Sequence, residues 1–196
     1  QTGVSRPFRY TPGLGMIDLG APQNTYSYVK DMNELGTVVG DLRNDGEYTY
    51  DAWVYSDANG FEILPTLGGS TTRINDINNF NQIVGASYLP EFGYHAYIWE
   101  NGQMTDLGTL GGNWSEAYYI NDNGVVVGRA QEAGGNWRAF RYTPGVGMEP
   151  LPDIVGASSC EATWINNAGM IAGTWWDGAT QNVFCYTQQY GLMNIA

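Results

Sequence analysis

Ile120-Asn121-Asp122-Asn123-Gly124-Val125-Val126-Val127-Gly128 reads as a strand end, an Asn- and Gly-rich tight turn, and a second strand. The same pattern occurs four times, at residues 32–40, 77–85, 120–128 and 165–173. In each copy an apolar residue precedes Asn33, Asn78, Asn121 or Asn166, and the stretch closes on Gly40, Gly85, Gly128 or Gly173. The closing glycines lie 45, 43 and 45 residues apart. A fixed period of this size marks one repeated unit and hence one domain.

Outward from this hairpin, a second element recurs five times: Pro7-Phe8-Arg9-Tyr10, Ala52-Trp53-Val54-Tyr55, Ala96-Tyr97-Ile98-Trp99, Ala139-Phe140-Arg141-Tyr142 and Val183-Phe184-Cys185-Tyr186. Its two aromatics are two residues apart, so both lie on one side of a strand. A Gly-, Asn- or Pro-containing turn follows each copy, then a short strand such as Met104-Thr105-Asp106-Leu107. One unit is therefore four short strands in about 44 residues, the signature of a β-propeller blade. A β-sandwich and an open solenoid of sheets are the competing architectures. No window carries a helical apolar period, and the 27 glycines and 14 tyrosines suit strands and turns.

The expected fold is all-β: a small β-propeller of four full four-stranded blades, at about 24–64, 70–107, 113–151 and 157–196. A two-stranded hairpin at 6–19 is left unmatched, or forms a partial fifth blade. Five aromatic hairpins face only four Asn-turn hairpins, and the surplus one carries Phe8, Tyr10, Met16 and Leu19. Isolated hairpins are marginal in water. This one is expected to half-fill a fifth ring position, to pack as a flap on the ring, or to pair with the exposed edge of another copy.

The third unit resembles the HAF repeat of extracellular proteins. The residues that carry the likeness are His95-Ala96-Tyr97-Ile98-Trp99, the run Gly102-Gln103-Met104-Thr105-Asp106-Leu107-Gly108-Thr109-Leu110-Gly111-Gly112, then Ser115, Ala117, Ile120-Asn121, Gly124 and Val126-Val127-Gly128. The likeness extends over nearly the whole chain. Pro7 departs from it where other units have Ala, as does Met32 where others have Ile, and the first and fourth units lack Leu-Gly-Gly. The resemblance implies a secreted, propeller-like protein and brings no catalytic residues with it.

Twenty acidic against eight basic residues give a formal charge of −12, with Lys30 the single lysine. Such a chain repels phosphate backbones and anionic lipid, which argues against nucleic acid and membrane surfaces as partners. No apolar run reaches the length of a membrane span. Gln1 is read as the first residue after removal of a secretion signal. Cys160 and Cys185 fall on non-neighbouring strands of one unit, which disfavours a bridge.

No catalytic, metal or cofactor site is expected. His95 occupies a polar strand-start slot that is Asp51 and Arg138 in other units. Asp31, Asp76 and Glu34 flank the repeat asparagines, but in differing registers, which weakens a glycosidase-like carboxylate pair. The Asn-Asp-Asn-Gly turn is similar to part of a calcium loop but lacks its later Glu. Asn33, Asn78, Asn121 and Asn166 are read as turn caps, and the closing glycines as strand ends where a side chain would crowd the adjoining blade or the turn. Asn113-Trp114-Ser115 is a glycosylation sequon. Tyr94, Trp114, Trp137, Trp175 and Trp176 lie outside the repeat pattern and are the candidate sugar-stacking aromatics. Two kinds of partner are thus expected, other copies of the chain in a ring or filament and extracellular polysaccharide. Assembly or adhesion is the leading role, a carbohydrate-binding propeller the second and a glycoside-processing enzyme the third.

Overall fold

A computed structural model describes residues 4–44 and 46–195. Gln1, on which the secretion reading rests, and residue 196, the last of the fourth expected blade, lie outside the described residues. The described residues are all-β, with no helix among them. Hairpin β1 (Phe8–Thr11) and β2 (Gly15–Asp18) comes first. Blade 1 is β3 (Thr25–Met32), β4 (Val38–Asn44), β5 (Asp51–Ser56) and β6 (Gly60–Ile63). Blade 2 is β7 (Thr72–Ile77), β8 (Ile83–Tyr88), β9 (Tyr94–Glu100) and β10 (Gln103–Asp106). Blade 3 is β11 (Gly111–Ile120), β12 (Val126–Glu132), β13 (Trp137–Thr143) and β14 (Gly147–Pro150). Blade 4 is β15 (Ser159–Ile165), β16 (Ile171–Trp176), β17 (Gln181–Thr187) and β18 (Gly191–Ile195). Each blade is an antiparallel meander, and a single parallel contact, Trp114 with Tyr94, joins blades 2 and 3 into one sheet.

Inside a blade, the closing glycine of the second strand pairs with the first aromatic of the third: Gly40 with Trp53, Gly85 with Tyr97, Gly128 with Phe140 and Gly173 with Phe184. Those four aromatics are fully buried. A Cβ on Gly128 would strike the Glu116 carbonyl and come within 2.9 Å of the Phe140 ring. The glycines therefore sit inside strands, not at strand ends, and what they make room for is a carbonyl of the neighbouring first strand and, at Gly40, Gly128 and Gly173, also the aromatic of their own sheet. Gly111 and Gly112 open β11.

Blade stacks on blade through apolar faces. Ala52, Val54 and Leu64 of blade 1 pack on Ile74, Ile77 and Ile83 of blade 2. Ala96 and Leu107 meet Ala117, Ile120 and Phe140 one blade on, and Ala139 and Leu151 meet Ala162, Ile171 and Phe184 in the last. Each aromatic thus looks back toward the preceding blade, and each small Ala and closing Leu looks forward. The core is a series of such seams, as expected for a chain of stacked repeats.

The surplus hairpin follows the same rule on its own chain. Leu19 is buried against Val38, Leu42 and Trp53. The Leu19 N–H donates to the Pro7 carbonyl at 3.1 Å, as Leu64 does to Ala52 and Leu107 to Ala96. The Ser27 N–H donates to the Ser5 carbonyl, as Thr72 does to Tyr50. Arg9 reaches across to the Gly36 carbonyl at 2.8 Å and to Asp57 at 2.6 Å. The hairpin is thus the outer half of a blade, lying on blade 1 where an inner pair of strands would also belong. Leu19 is buried, whereas Phe8, Tyr10 and Met16, grouped with it by sequence, are exposed. Among the described residues no strand pairing links blade 4 to the hairpin or to blade 1.

Candidate functional site

The first strand of every blade carries a β-bulge three residues before its repeat Asn. The register slips between Val29 and Asp31, Ile74 and Asp76, Ala117 and Tyr119, and Ala162 and Trp164. A bulge breaks strict alternation and re-aims the side chain that follows it. Asp31, Asp76, Tyr119 and Trp164 are the four equivalent residues, and all four line one cleft of about 380 Å³ where the blades converge. Asp31 and Asp76 share one register, contrary to the sequence reading; only Glu34 differs, standing in the register of Asn79, Asp122 and Asn167.

The repeat asparagines form the frame of this cleft. Asn121 Oδ1 accepts the Asn123 and Val125 N–H groups, each at 3.0 Å, which closes its own turn. Gly124 holds the left-handed position of that turn at φ +73°, a role Asn81 fills in blade 2. The other end of each side chain reaches forward. Nδ2 of Asn33 donates to the Asn78 carbonyl, that of Asn78 to the Asn121 carbonyl and that of Asn121 to the Asn166 carbonyl, all at 3.0 Å. A second ladder runs one residue on: the N–H of Glu34 donates to Asn79 Oδ1, that of Asn79 to Asp122 Oδ1, and that of Asp122 to Asn167 Oδ1, at 2.9–3.0 Å. The Asn79 N–H, helped by the Asn167 amide, holds the Asp122 carboxyl below the usual range. The asparagines therefore cap turns and also stitch blade to blade. Single-strand reasoning finds only the first role.

The cleft has two unlike sides. On one, Asp76 is buried, with Oδ2 accepting the Ile120 N–H at 2.8 Å. Burial lifts its pKa to about 8 against the pull of that N–H, and the adjacent Asp31 carboxyl adds to the rise. Asp76 thus keeps its proton through neutral pH. On the other side, Tyr119 and Trp164 stack with centroids 3.9 Å apart and an interplanar angle of 30°. Trp164 keeps 54% of its surface exposed. An aromatic platform faces a carboxyl pair, with the Asn33, Asn78, Asn121 and Asn166 frame between them.

The aromatics singled out from sequence are distributed elsewhere. Tyr94 and Trp114 meet edge to face at 4.8 Å, and Phe92 packs on Trp114 at 5.0 Å, in a cluster between blades 2 and 3. Trp137 lies under the Arg129 guanidinium, which also pairs with Glu116 and Glu161. Trp137 and Trp176 border a groove between blades 3 and 4. Trp175 belongs to the core, its Nε1 donating to Asn194. None of the five lines the central cleft. Tyr119 and Trp164 were overlooked because they sit inside the repeat. Their signal is positional: they precede the apolar-Asn pair, where Asp31 and Asp76 stand in the first two units.

His95 pairs with Asp106 at 2.9 Å, and Arg6 and Asp18 form the equivalent pair in the hairpin. Its slot ties the third strand of a blade to the fourth. Cys160 and Cys185 are free thiols on β15 and β17, with β16 between them. Cys160 accepts the Ala139 N–H at 3.3 Å, as Ser115 accepts that of Ala96, and burial raises its thiol pKa. Ser115 of the sequon is fully buried in that role. Among the described residues no cluster of three or more His, Cys, Asp or Glu side chains is placed to hold a metal.

No family model matches the chain, and no curated protein does. Solved structures do. The chain is similar to dipeptidyl peptidase 4 of Porphyromonas gingivalis, with 13% identity and a TM-score of 0.66 over 89% of this chain and 26% of that one. It is also similar to the β-propeller domain of the Trilobed protease from Pyrococcus furiosus, described as having an open velcro topology. There identity is 8% and the TM-score 0.57, over 93% of this chain and 54% of that one. The chain thus spans about a quarter and about half of the proteins it matches. At these identities the likeness is one of fold, and the fold is of the β-propeller class.

Proposed function

We propose that the protein is a non-enzymatic, carbohydrate-binding member of the β-propeller class, with the central cleft as its binding site. The observation that carries this reading is the set of four bulges that gather Asp31, Asp76, Tyr119 and Trp164 around one cleft. An exposed indole face matches the C–H face of a pyranose, while carboxyl and amide groups take its hydroxyls. The acidic setting of Asp31, Glu34 and Asp122 favours neutral and amino sugars over uronic acids. The resemblance to HAF repeats supports an extracellular setting, which comparing culture medium with cell lysate checks.

A protonated Asp76 beside the Asp31 carboxyl also suits glycoside hydrolysis. Burial argues against it: Asp76 is 4% exposed and one of its oxygens is committed to the Ile120 N–H. Screening a polysaccharide array and following tryptophan fluorescence on titration tests both readings. Trp164→Ala is expected to weaken binding at least about tenfold. Absence of any glycan signal discards the lectin reading, and reducing-sugar release that Asp31→Asn abolishes would establish an enzyme.

A further inference from the structure

The two ends of the blade series present the unlike halves of one interface. In blades 1 to 4 the backward-facing aromatic is fully buried, yet its equivalent in the hairpin, Phe8, is 55% exposed, with Tyr10 and Met16 beside it. At the other end, the forward-facing Leu19, Leu64, Leu107 and Leu151 are each buried, whereas their equivalent Ile195 is 55% exposed. Ala52, Ala96 and Ala139 are buried, whereas their equivalent Val183 is 45% exposed. Within the chain, a forward face of this kind covers a backward face at every junction between blades. Among the described residues nothing covers either end face, and the residues there are apolar.

We propose that the protein associates head to tail: the forward face of blade 4, at Val183 and Ile195, packs on the backward face of the hairpin, at Phe8, Tyr10 and Met16, of a second copy. The contact continues the within-chain stacking by one junction, so its occupant is set by the repeat itself. Because its two halves differ, the contact is heterologous, and each added copy leaves one face of each kind open. The product is a filament, or a ring if the rotation closes. Only outer strands meet, since among the described residues β1 and β2 have no inner pair. This inference is independent of sugar binding and concerns residues far from the cleft lining.

Complementary variants of the full chain test it. Phe8→Glu blocks the hairpin face; Val183→Glu with Ile195→Glu blocks the blade 4 face. All three positions are exposed, and circular dichroism and thermal melts check that the variants fold. In sedimentation velocity the wild-type chain is expected to rise in mean mass with concentration, beyond a dimer. Each variant alone is expected to run as the 21.5 kDa monomer, with association weakened at least about tenfold. Mixed in equal amounts, they are expected to form a dimer and nothing larger, since one open pair of faces remains. A wild-type chain that stays monomeric at every concentration overturns the proposal. So does either variant that still self-associates alone, because a symmetric contact would then be responsible.

Discussion

Asp76 is the carboxyl group whose chemistry departs furthest from its ordinary behaviour. In the folded protein it keeps its proton up to about pH 8, against 3.8 for a free side chain. The folded state therefore binds more protons than the unfolded chain throughout that interval, and stability is greatest at its acid end and falls as pH rises through it. The loss has an upper bound of about 6 kcal/mol. Asp76→Asn is expected to flatten this dependence, read as the change in urea midpoint between about pH 5 and pH 9. A slope unchanged in the variant would mean that Asp76 is not the group responsible. Gly128 is the other residue on which much rests. Its replacement by Ala sets a methyl against the Glu116 carbonyl and the Phe140 ring, and is expected to destabilise by about 3 kcal/mol in chemical denaturation.

At the scale of the element, the Asn-turn hairpin is more than a turn. Asn121 closes its own loop and donates forward to blade 4, whereas for Asn166 Nδ2 no acceptor exists among the described residues. The same substitution should therefore differ with position. Asn121→Ala is expected to cost about 2 kcal/mol, from loss of a cap and an inter-blade bond, and Asn166→Ala about 1 kcal/mol, from loss of the cap alone. Equal losses in denaturant titrations would deny the ladder its role in joining blades. The hairpin of β1 and β2 is anchored on blade 1 by the buried Leu19, beside the Arg9 bonds to Gly36 and Asp57. Leu19→Ala is expected to destabilise by about 3 kcal/mol and to raise proteolytic cleavage near residue 19 before the blades themselves unfold.

At the scale of the molecule, charge and apolar ends act against each other. A net charge of −12 opposes the approach of a second copy at low ionic strength. Added salt screens that repulsion and leaves burial of Phe8, Val183 and Ile195 intact. Head-to-tail association is accordingly expected to strengthen as salt rises from about 10 mM to about 500 mM; weakening over that range would point to an ionic contact instead.

Period and residue type were enough to read the blades. The nine-residue hairpin repeat, the paired aromatics and the turn glycines each answer to local rules: pleat alternation, positive-φ turns, and strand length. The same rules count five outer hairpins against four inner ones within residues 1–196. What they leave open is where side chains point once alternation fails. The bulges that turn Asp31, Asp76, Tyr119 and Trp164 into the cleft arise where four strands converge, and that convergence exists only after the blades stack. The closing glycines tell the same story: the sequence suggests strand ends, but the carbonyl that each one accommodates, and at Gly40, Gly128 and Gly173 the ring, belongs to a neighbouring strand. The five unpatterned aromatics looked functional because they broke the repeat, while the pair that meets in the cleft kept it. The repeat by itself determined the strands, their order and their number, because backbone pairing depends on near neighbours in the chain. Only the tertiary structure decided which residues share a cleft and which faces stay uncovered, because those depend on residues one or more blades apart brought within contact distance.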